Sequence, residues 1–307
     1  MRPELRIRKA GTASLRTALT DRCAPRIGLT PARLMLIAVA GVGALLESEA
    51  ALGWGAEGHR ITGFVAESQL SPRTQAALRE LVDTPLAELA LEADERRQEL
   101  ANQYPGSQRW HYDDRLVCHP DVPLADYCPE ENCASRAIAR MDAVLRNPGS
   151  TRAEKRDAVM FLVHIIGDIH QPLHASDNND RGGNQSRVRL PGESKDRSLH
   201  SVWDIDLVRR VARGYSPPSY ARELVSRYQA QLKQWRQGSP ADWLAESYAL
   251  SQHFAYGALP GMTCDAPLPT VATLPDAYLK EADRIVPEQL AKAGVRIAAE
   301  LNSALGQ

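Results

Sequence analysis

The sequence predicts an all-α protein: one mainly helical domain that carries a short β-hairpin and two disulfides. Apolar residues recur at three- and four-residue spacing through most of the chain after residue 53, which is typical of amphipathic helices. A single short segment alternates as a strand does, and no repeat, low-complexity tract or linker divides the chain. Hydrophobic residues make up 43% of the 307 residues, enough for a packed core.

The first 53 residues have the features of an export signal. Arg22, Arg26 and Arg33 precede an apolar run of about a dozen residues, and Ala51 and Gly53 supply the small side chains of a cleavage site. We predict cleavage between Gly53 and Trp54, so that residues 1–53 are a signal peptide with an N-terminal extension and 54–307 form the mature domain. A membrane anchor is the alternative, but the run is shorter than the roughly 20 residues that span a bilayer. We therefore expect a secreted or periplasmic protein without stable membrane association.

The elements follow one another with clear boundaries. Residues 103–132, rich in Pro, Asp, Tyr and Cys, are expected to form a long loop. Residues 180–184 are rich in glycine, and 186–190 alternate as a strand that Pro191-Gly192 turns into a hairpin. Helices are expected at 58–69, 72–81, 85–100, 134–145, 152–169, 200–212, 219–237, 240–256 and 277–305.

The charge balance limits the possible partners. Residues 1–53 hold eight Lys and Arg and four Asp and Glu, so the remainder has 29 basic and 34 acidic residues, a net charge of −5. A mildly acidic chain is unsuited to a broad basic surface that grips duplex phosphates. If its substrate is nucleic acid, bound metal must supply the positive charge.

Four cysteines remain after the predicted cleavage: Cys118, Cys128, Cys133 and Cys264. An even number in an exported chain indicates two disulfides, with three possible pairings. Four free buried thiols are the alternative. Metal binding by these cysteines is disfavoured, because Cys128 and Cys133 have no second Cys pair or nearby His pair to complete a tetrahedral site.

Histidines and aspartates recur in a pattern that suggests metal binding. His164 and Asp168 are four apart on an apolar helix, so both point from one buried face. A buried carboxylate is costly unless it is paired or bound to a metal. A His–Asp hydrogen bond would explain this pair alone, but the same spacing returns at His200 and Asp204, with His174 just after the earlier helix.

Two further histidines extend the pattern. His111 lies in the segment 110–114, and His59 follows the predicted new N-terminus, Trp54, whose freed amine and carbonyl could chelate a metal. Imidazoles and carboxylates without thiolates suit zinc in a hydrolytic site that keeps open positions. We therefore favour two or more divalent ions on one helical scaffold over purely structural histidines.

Six segments that carry these residues resemble a known family: 54–59, 110–112, 161–168, 171–174, 182–184 and 199–204. They are similar, in order, to the zinc-dependent nucleases of fungi, plants and bacteria that prefer single strands and are typified by nucleases S1 and P1. The resemblance spans the mature chain. It implies a bacterial secreted member with the helical fold shared by these nucleases and phospholipase C, and the disulfides Cys118–Cys264 and Cys128–Cys133.

The resemblance also implies three Zn²⁺ ions per chain. The first would be held by Asp94, His111, His164 and Asp168. The second would be held by the amine and carbonyl of Trp54 together with His59, and would share Asp168. The third would be held by His174, His200 and Asp204. For Asp94 a surface carboxylate is the alternative, because the family's Trp is missing just before Ala93-Asp94.

The activity that the resemblance implies is endonucleolytic hydrolysis of single-stranded DNA and RNA to 5′-phosphorylated products, by a monomer that also removes the phosphate of 3′-nucleotides. A zinc-activated water would be the nucleophile. Asp168 is a catalytic candidate as the shared ligand. Asp114 could orient or deprotonate the water, or simply cap its loop. Tyr112 could stack on a base, and Asn184 could contact the base or phosphate, although a plain turn explains it too.

Two other functions stay open at this point. Zinc-dependent phospholipase C uses a similar scaffold, but Asp204 stands where that family would have Glu, and the cysteines and the Trp110-His111-Tyr112 motif favour a nuclease. A noncatalytic exported zinc-binding protein would need only the metal ligands.

Overall fold

The structure is a computed structural model that describes residues 53–306, so the predicted signal peptide lies outside the described residues except for Gly53. The mainly helical prediction is confirmed. The α-helices are α1 Ala56–Gln69, α2 Pro72–Leu81, α3 Leu86–Leu89, α4 Glu92–Glu95, α5 Arg97–Gln103, α6 Leu124–Tyr127, α7 Ala134–Arg146, α8 Arg152–Asp168, α9 Leu199–Ser201, α10 Leu207–Val211, α11 Pro217–Arg227, α12 Leu232–Trp235, α13 Pro240–Leu250 and α14 Asp276–Leu305.

Several helices begin where local chemistry requires it. The Ser71 hydroxyl accepts a hydrogen bond from the Thr74 amide at 3.1 Å, and Pro72 occupies the first helical position of α2. Thr151 and Glu154 form a reciprocal capping box at the start of α8. Ser239, followed by Pro240, does the same with Asp242 at the start of α13. These local signals explain why the predicted starts of these three helices agree with the structure.

The central helix α8 is buried along its C-terminal two thirds, from Asp157 to Asp168. It packs against α7, α14, α3 and α1, and the long helix α14 packs along α1. The α1–α14 contact is close, because a methyl group on Gly294 would overlap the Val65 side chain. This packing fixes α1, which carries His59, against α8, which carries His164 and Asp168.

One predicted helix, 85–100, is interrupted in the structure. It is divided into α3, α4 and the start of α5. The Ala90 carbonyl, at the end of α3, accepts a hydrogen bond from the His164 imidazole at 2.6 Å instead of continuing an uninterrupted helix. The predicted helices 200–212, 219–237 and 240–256 are also divided, by a π-helical turn at Val202–Asp206, a break after Arg227 and a π-helical turn at Ser251–Ala255.

The predicted hairpin is present as β1 Arg187–Arg189 paired antiparallel with β2 Asp196–Ser198. A third strand, β3 Ala272–Thr273, pairs in parallel with β1, giving the order β2-β1-β3. Two residues are too few to show alternation, so β3 had no signal in the sequence.

Both disulfides implied by the resemblance are confirmed. Cys118 bonds to Cys264 across 146 positions of sequence, and Cys128 bonds to Cys133. The Cys118–Cys264 disulfide links the long loop before α7 to the segment that leads into β3. Within residues 53–306, no helix is long and apolar enough to cross a membrane.

Candidate metal centre

A first group of side chains gathers around the buried end of α8. The Oδ2 atom of Asp168 lies 3.1 Å from His164 Nε2 and 3.1 Å from His111 Nδ1. Asp94, in α4, brings its Oδ1 atom to 3.7 Å from His164 Nε2 and 3.8 Å from His111 Nδ1. Asp94 therefore reaches this group from α4, one of the short helices into which the predicted helix 85–100 is divided. Its carboxylate is largely buried, with 15% of the side chain exposed.

A second group uses the other oxygen of the same carboxylate. His59 Nε2 lies 3.2 Å from Asp168 Oδ1, and the His59 ring stacks on His164 at 4.2 Å between centroids. Trp54 is fully buried beside them. A methyl group on Gly53 would overlap Asp168 Oδ1 and lie 3.0 Å from His59 Nε2. The chain around the Gly53–Trp54 bond therefore passes directly by this group.

The third group lies where the π-helical turn follows α9. His200 Nε2 is 3.1 Å from Asp204 Oδ2 and 3.1 Å from His174 Nε2. The Gln171 amide donates to Asp204 Oδ1 at 2.7 Å, and the Gly55 amide donates to the Asp204 backbone carbonyl at 3.0 Å. All three proposed ligands of this group are buried.

Backbone carbonyls set the tautomers of three imidazoles. The Nδ1–H groups of His164, His174 and His200 donate to the carbonyls of Ala90, His111 and Gly182, at 2.6, 2.7 and 2.6 Å. A carbonyl oxygen only accepts, so each Nδ1 carries a proton, and each ring in its neutral form directs the Nε2 lone pair into its group. The lone pairs of His174 and His200 then face each other at 3.1 Å, an arrangement that a cation between them would stabilise.

Unpaired buried atoms point to the same conclusion. Among the described residues, Nδ1 of His59 and Oδ1 of Asp94 are buried without a hydrogen-bond partner, and His59 Nε2 and Asp168 Oδ1 lie 3.2 Å apart in a geometry that forms no hydrogen bond. Burying a polar atom without a partner costs free energy of folding, unless a bound ligand or metal ion interacts with that atom. The donors are imidazoles and carboxylates, while the four described cysteines are disulfide-bonded, and this set fits zinc.

Burial and neighbouring charges shift the pKa values of the proposed ligands in different directions. Burial opposes a charge on His164, but the carboxylates of Asp168 and Asp94 raise its pKa to about 9. Burial lowers the pKa of His174 to about 3, and it raises the pKa of Asp204 to about 6. Protons and metal ions therefore compete most strongly at His164, beside the two carboxylates.

The three predicted substrate-side residues are half-buried, and we refer to them as the rim residues: Tyr112, Asp114 and Asn184. Burial and the nearby Asp177 raise the pKa of Asp114 to about 7, although 31% of its side chain stays exposed. Tyr112 is half-buried, and the guanidinium carbon of Arg109 lies 5.9 Å from its ring centre. The Asn184 amide nitrogen donates to the Arg181 carbonyl at 2.9 Å, so this part of its side chain supports the turn.

Two supporting residues were missed at the sequence level. Gln171 holds Asp204 through its amide and accepts from the Leu173 amide through its carbonyl at 2.6 Å. His170 is fully buried, donates through Nδ1 to the Ile166 carbonyl at 2.7 Å and accepts from Arg296 at 2.9 Å. The adjacent Pro172-Leu173-His174 motif was the only available signal for Gln171, and Arg296 is too distant in sequence to have suggested His170.

Known proteins with similar sequences were found over nearly the whole described chain. A family described as S1/P1 Nuclease matches residues 54–306. Nuclease S1 of Aspergillus oryzae is 29% identical over 274 residues, covering 81% of this chain and 91% of that protein. Endonuclease 4 of Arabidopsis thaliana is 29% identical over 279 residues, covering 82% and 89%. Nuclease P1 of Penicillium citrinum is 29% identical over 274 residues, covering 82% and 98%.

Proposed function

The chain belongs to the S1/P1 nuclease family, and from this premise we propose that it is a three-zinc endonuclease that hydrolyses single-stranded DNA and RNA to 5′-phosphorylated products. As a member of that family it is a nuclease, a hydrolase of phosphoester bonds. The observation that carries the proposal is the presence of three largely buried His/Asp groups that could hold metal ions, two of which include His164 of α8. We extend the proposal to 3′-nucleotides as substrates and to a monomer.

Each proposed ion has a defined set of ligands. Asp94, His111, His164 and Asp168 would hold one ion, and His174, His200 and Asp204 would hold another. The Trp54 amine and carbonyl with His59 would hold the remaining ion, with Asp168 shared. The two oxygens of Asp168 face different imidazoles, which supports the shared role.

The residues at the rim would prepare the substrate for hydrolysis. Bound zinc would supply a nucleophile at neutral pH and neutralise negative charge on the phosphate. Asp114 would orient or deprotonate the attacking water, since its raised pKa suits a base near neutral pH. Tyr112 would stack on an unpaired base, and Asn184 would contact the base or phosphate. Because a duplex hides its base faces, stacking favours single strands.

Export would complete the proposed site. Removal of residues 1–53 would free the Trp54 amine, next to His59 and Asp168. The two disulfides suit an extracellular or periplasmic location. We propose that the mature protein is secreted or periplasmic and that only the form beginning at Trp54 holds the full complement of zinc, which N-terminal sequencing and metal analysis of the processed and unprocessed chains would test.

The main test is hydrolysis by processed protein of known zinc content, with single-stranded DNA and phosphatidylcholine as parallel substrates. We expect chelator-sensitive DNA cleavage at about three zinc ions per chain. Lipid hydrolysis alone would indicate a phospholipase C, and neither activity would indicate a noncatalytic zinc-binding protein.

Substitution of the shared ligand gives a sharper test. Asp168→Asn keeps the shape but removes the charge, so we expect loss of bound zinc and a fall in DNA hydrolysis of more than about a hundredfold. Asp265→Asn removes a half-exposed carboxylate that pairs with His119, and it should change neither quantity. Full zinc content and activity in Asp168→Asn would contradict the metal assignment.

A further inference from the structure

Two arginines from separate loops approach the half-buried Tyr112. Arg109 ends the 3₁₀ turn Ser107–Arg109, and its guanidinium is 5.9 Å from the Tyr112 ring centre and 3.8 Å from Asp114 Oδ2. Arg181 belongs to the glycine-containing turn that follows Asp180. The positive charges of Arg109, Arg97 and Arg181 oppose the rise in the Tyr112 pKa that burial and Asp114 cause. Arg109 thus lies beside the proposed base-stacking ring, and Arg181 is near enough for its charge to act on the Tyr112 hydroxyl.

The backbone holds Arg181 in an unusual conformation. Its φ angle is 61°, and Gly182 and Gly183 follow at 62° and 85°. A side chain other than Gly, Asn or Asp is uncommon there. Asp177 Oδ1 accepts from the amides of Asp180 and Gly182 at 3.1 and 2.8 Å, so the turn is tied down on both sides of Arg181. The turn therefore holds Arg181 in a fixed backbone conformation.

The same turn touches the third proposed metal group. The Gly182 carbonyl accepts the hydrogen bond from His200 Nδ1 at 2.6 Å. Arg181 is therefore bonded through the backbone to Gly182, which contacts the proposed ligand His200. Its position at the rim of the site is set by the backbone and not by side-chain pairing.

The charge of Arg181 is available for a ligand. Its side chain is exposed, and in the part of the chain that the structure describes its guanidinium has no hydrogen bond or ion pair. The Arg109 Nε atom is also without a hydrogen-bond partner among these residues. An unpaired cation at this position would attract an anion, although the chain from Trp54 onwards has a net charge of −5.

Resting on the nuclease function proposed above, we propose that Arg181, assisted by Arg109, binds a phosphate of the single strand other than the one being cleaved. Proteins that bind single strands combine aromatic platforms with basic groups that follow the backbone. Tyr112 would provide the platform, and the two arginines would hold the neighbouring phosphate. The substrate class that this rim would favour is an oligonucleotide, in preference to a dinucleoside monophosphate that has only the scissile phosphate.

The test compares these two substrates in Arg181→Asn. Asn accepts positive φ, so the variant removes the charge while the turn is preserved. For a thymidine oligonucleotide of roughly ten residues, we expect KM to rise about fivefold, with a smaller change in kcat. The dependence of log(1/KM) on log salt concentration should become shallower by about 0.7, the value for one phosphate contact on a single strand. KM for the dinucleoside monophosphate should change less.

Two further variants isolate the charge. Arg181→Lys keeps the positive charge at the same backbone position and should retain most of the salt dependence. Arg73→Gln removes one exposed charge from α2, an element that carries none of the site residues, and should leave KM and its salt dependence unchanged.

The outcomes separate this proposal from the underlying function. Equal KM increases for both substrates, an unchanged salt dependence, or a loss of bound zinc in Arg181→Asn would overturn the phosphate contact, the last by showing that Arg181 acts through His200. If the unsubstituted enzyme cleaves neither substrate, the proposed nuclease specificity fails instead.

Discussion

At the scale of single residues, Asp114 is placed in an environment that alters its acidity. Burial is the main cause, and the carboxylate of Asp177 adds to it, so that the pKa rises to about 7. Arg109, 3.8 Å away, opposes this rise. A carboxyl group that changes its charge near neutral pH can serve as a base, which a simple loop cap would not require.

The first residue-scale prediction concerns pH. A base must be ionised, so kcat/KM should rise about tenfold per pH unit below about pH 7 and level off above it. Asp114→Asn should lose this acid limb and lower kcat by about a hundredfold or more. A pH–rate profile at saturating zinc measures both effects. An unaltered acid limb in the variant would assign Asp114 to loop capping.

Gln171 is a positioning residue, because it acts on the proposed metal site through Asp204 and through the backbone beside His174. Its amide donates to Asp204 Oδ1 at 2.7 Å in a fully buried setting. Gln171→Glu keeps the size but replaces the donor by a carboxyl group. We expect zinc affinity at the His174–His200–Asp204 group to fall by about 10- to 100-fold, as measured by chelator competition.

A surface substitution controls for the added charge. Gln229→Glu introduces the same group at an exposed position, and zinc affinity should not change. If both variants weaken zinc binding equally, the effect of Gln171→Glu comes from net charge and not from the contact with Asp204.

At the scale of elements, α8 is the scaffold on which the proposed metal ligands are arranged. It runs unbroken from Arg152 to Asp168 and presents His164 and Asp168 one turn apart. Other proposed ligands come from interrupted parts of the chain, such as Asp94 in α4 and Asp204 in the π-helical turn Val202–Asp206. One regular helix therefore fixes the positions of His164 and Asp168, and less regular segments contribute other proposed ligands.

The start of α8 provides an element-scale prediction. The Glu154 amide donates to the Thr151 hydroxyl at 3.2 Å, and the Thr151 amide donates to the Glu154 carboxylate at 2.7 Å. Thr151→Ala should lower the free energy of unfolding by about 1 kcal/mol, measured by urea denaturation. Zinc content should stay constant, because the cap is nearly five helical turns from Asp168. The exposed Thr270→Ala serves as the matched control and should change stability by less than about 0.5 kcal/mol.

At the scale of the whole molecule, Arg296 joins α14 to α13 and to the end of α8. It donates to both oxygens of Glu246 at 2.7 and 2.8 Å, to the Trp235 carbonyl at 3.1 Å and to His170 at 2.9 Å. Its side chain is 3% exposed, whereas that of Glu246 is 42% exposed. The buried contacts to His170 and Trp235 therefore carry more of the stabilisation than the ion pair does.

Removing this connection should destabilise the fold. Arg296→Met keeps much of the volume but leaves His170 and the Trp235 carbonyl without their donor, so we expect a loss of about 3 kcal/mol in urea denaturation. Arg284→Met is the control, since that arginine is 64% exposed in its ion pair with Glu281. It should cost less than about 1 kcal/mol. A comparable loss in both variants would contradict the role of the buried contacts.

Local patterns were sufficient for much of the architecture. Spacing along the helix placed His164 and Asp168 on one face, and capping residues marked the starts of α2, α8 and α13. The same reasoning made 85–100 a single helix, which was wrong. The pattern there is helical, but it carries no trace of the hydrogen bond between the Ala90 carbonyl and His164, 74 residues later.

The sequence by itself determined the helical class, the hairpin and the residue types from which a metal site could be built, because these depend on neighbours within a few positions. Its resemblance to a known family supplied the disulfide pairing, which the spacing of the cysteines left open. Only the tertiary structure decided that the two oxygens of Asp168 face different histidines, that Gln171 holds Asp204 and that Arg296 reaches His170 across 126 positions. Such contacts join segments distant in the chain, so they follow from how the helices pack and not from any local pattern.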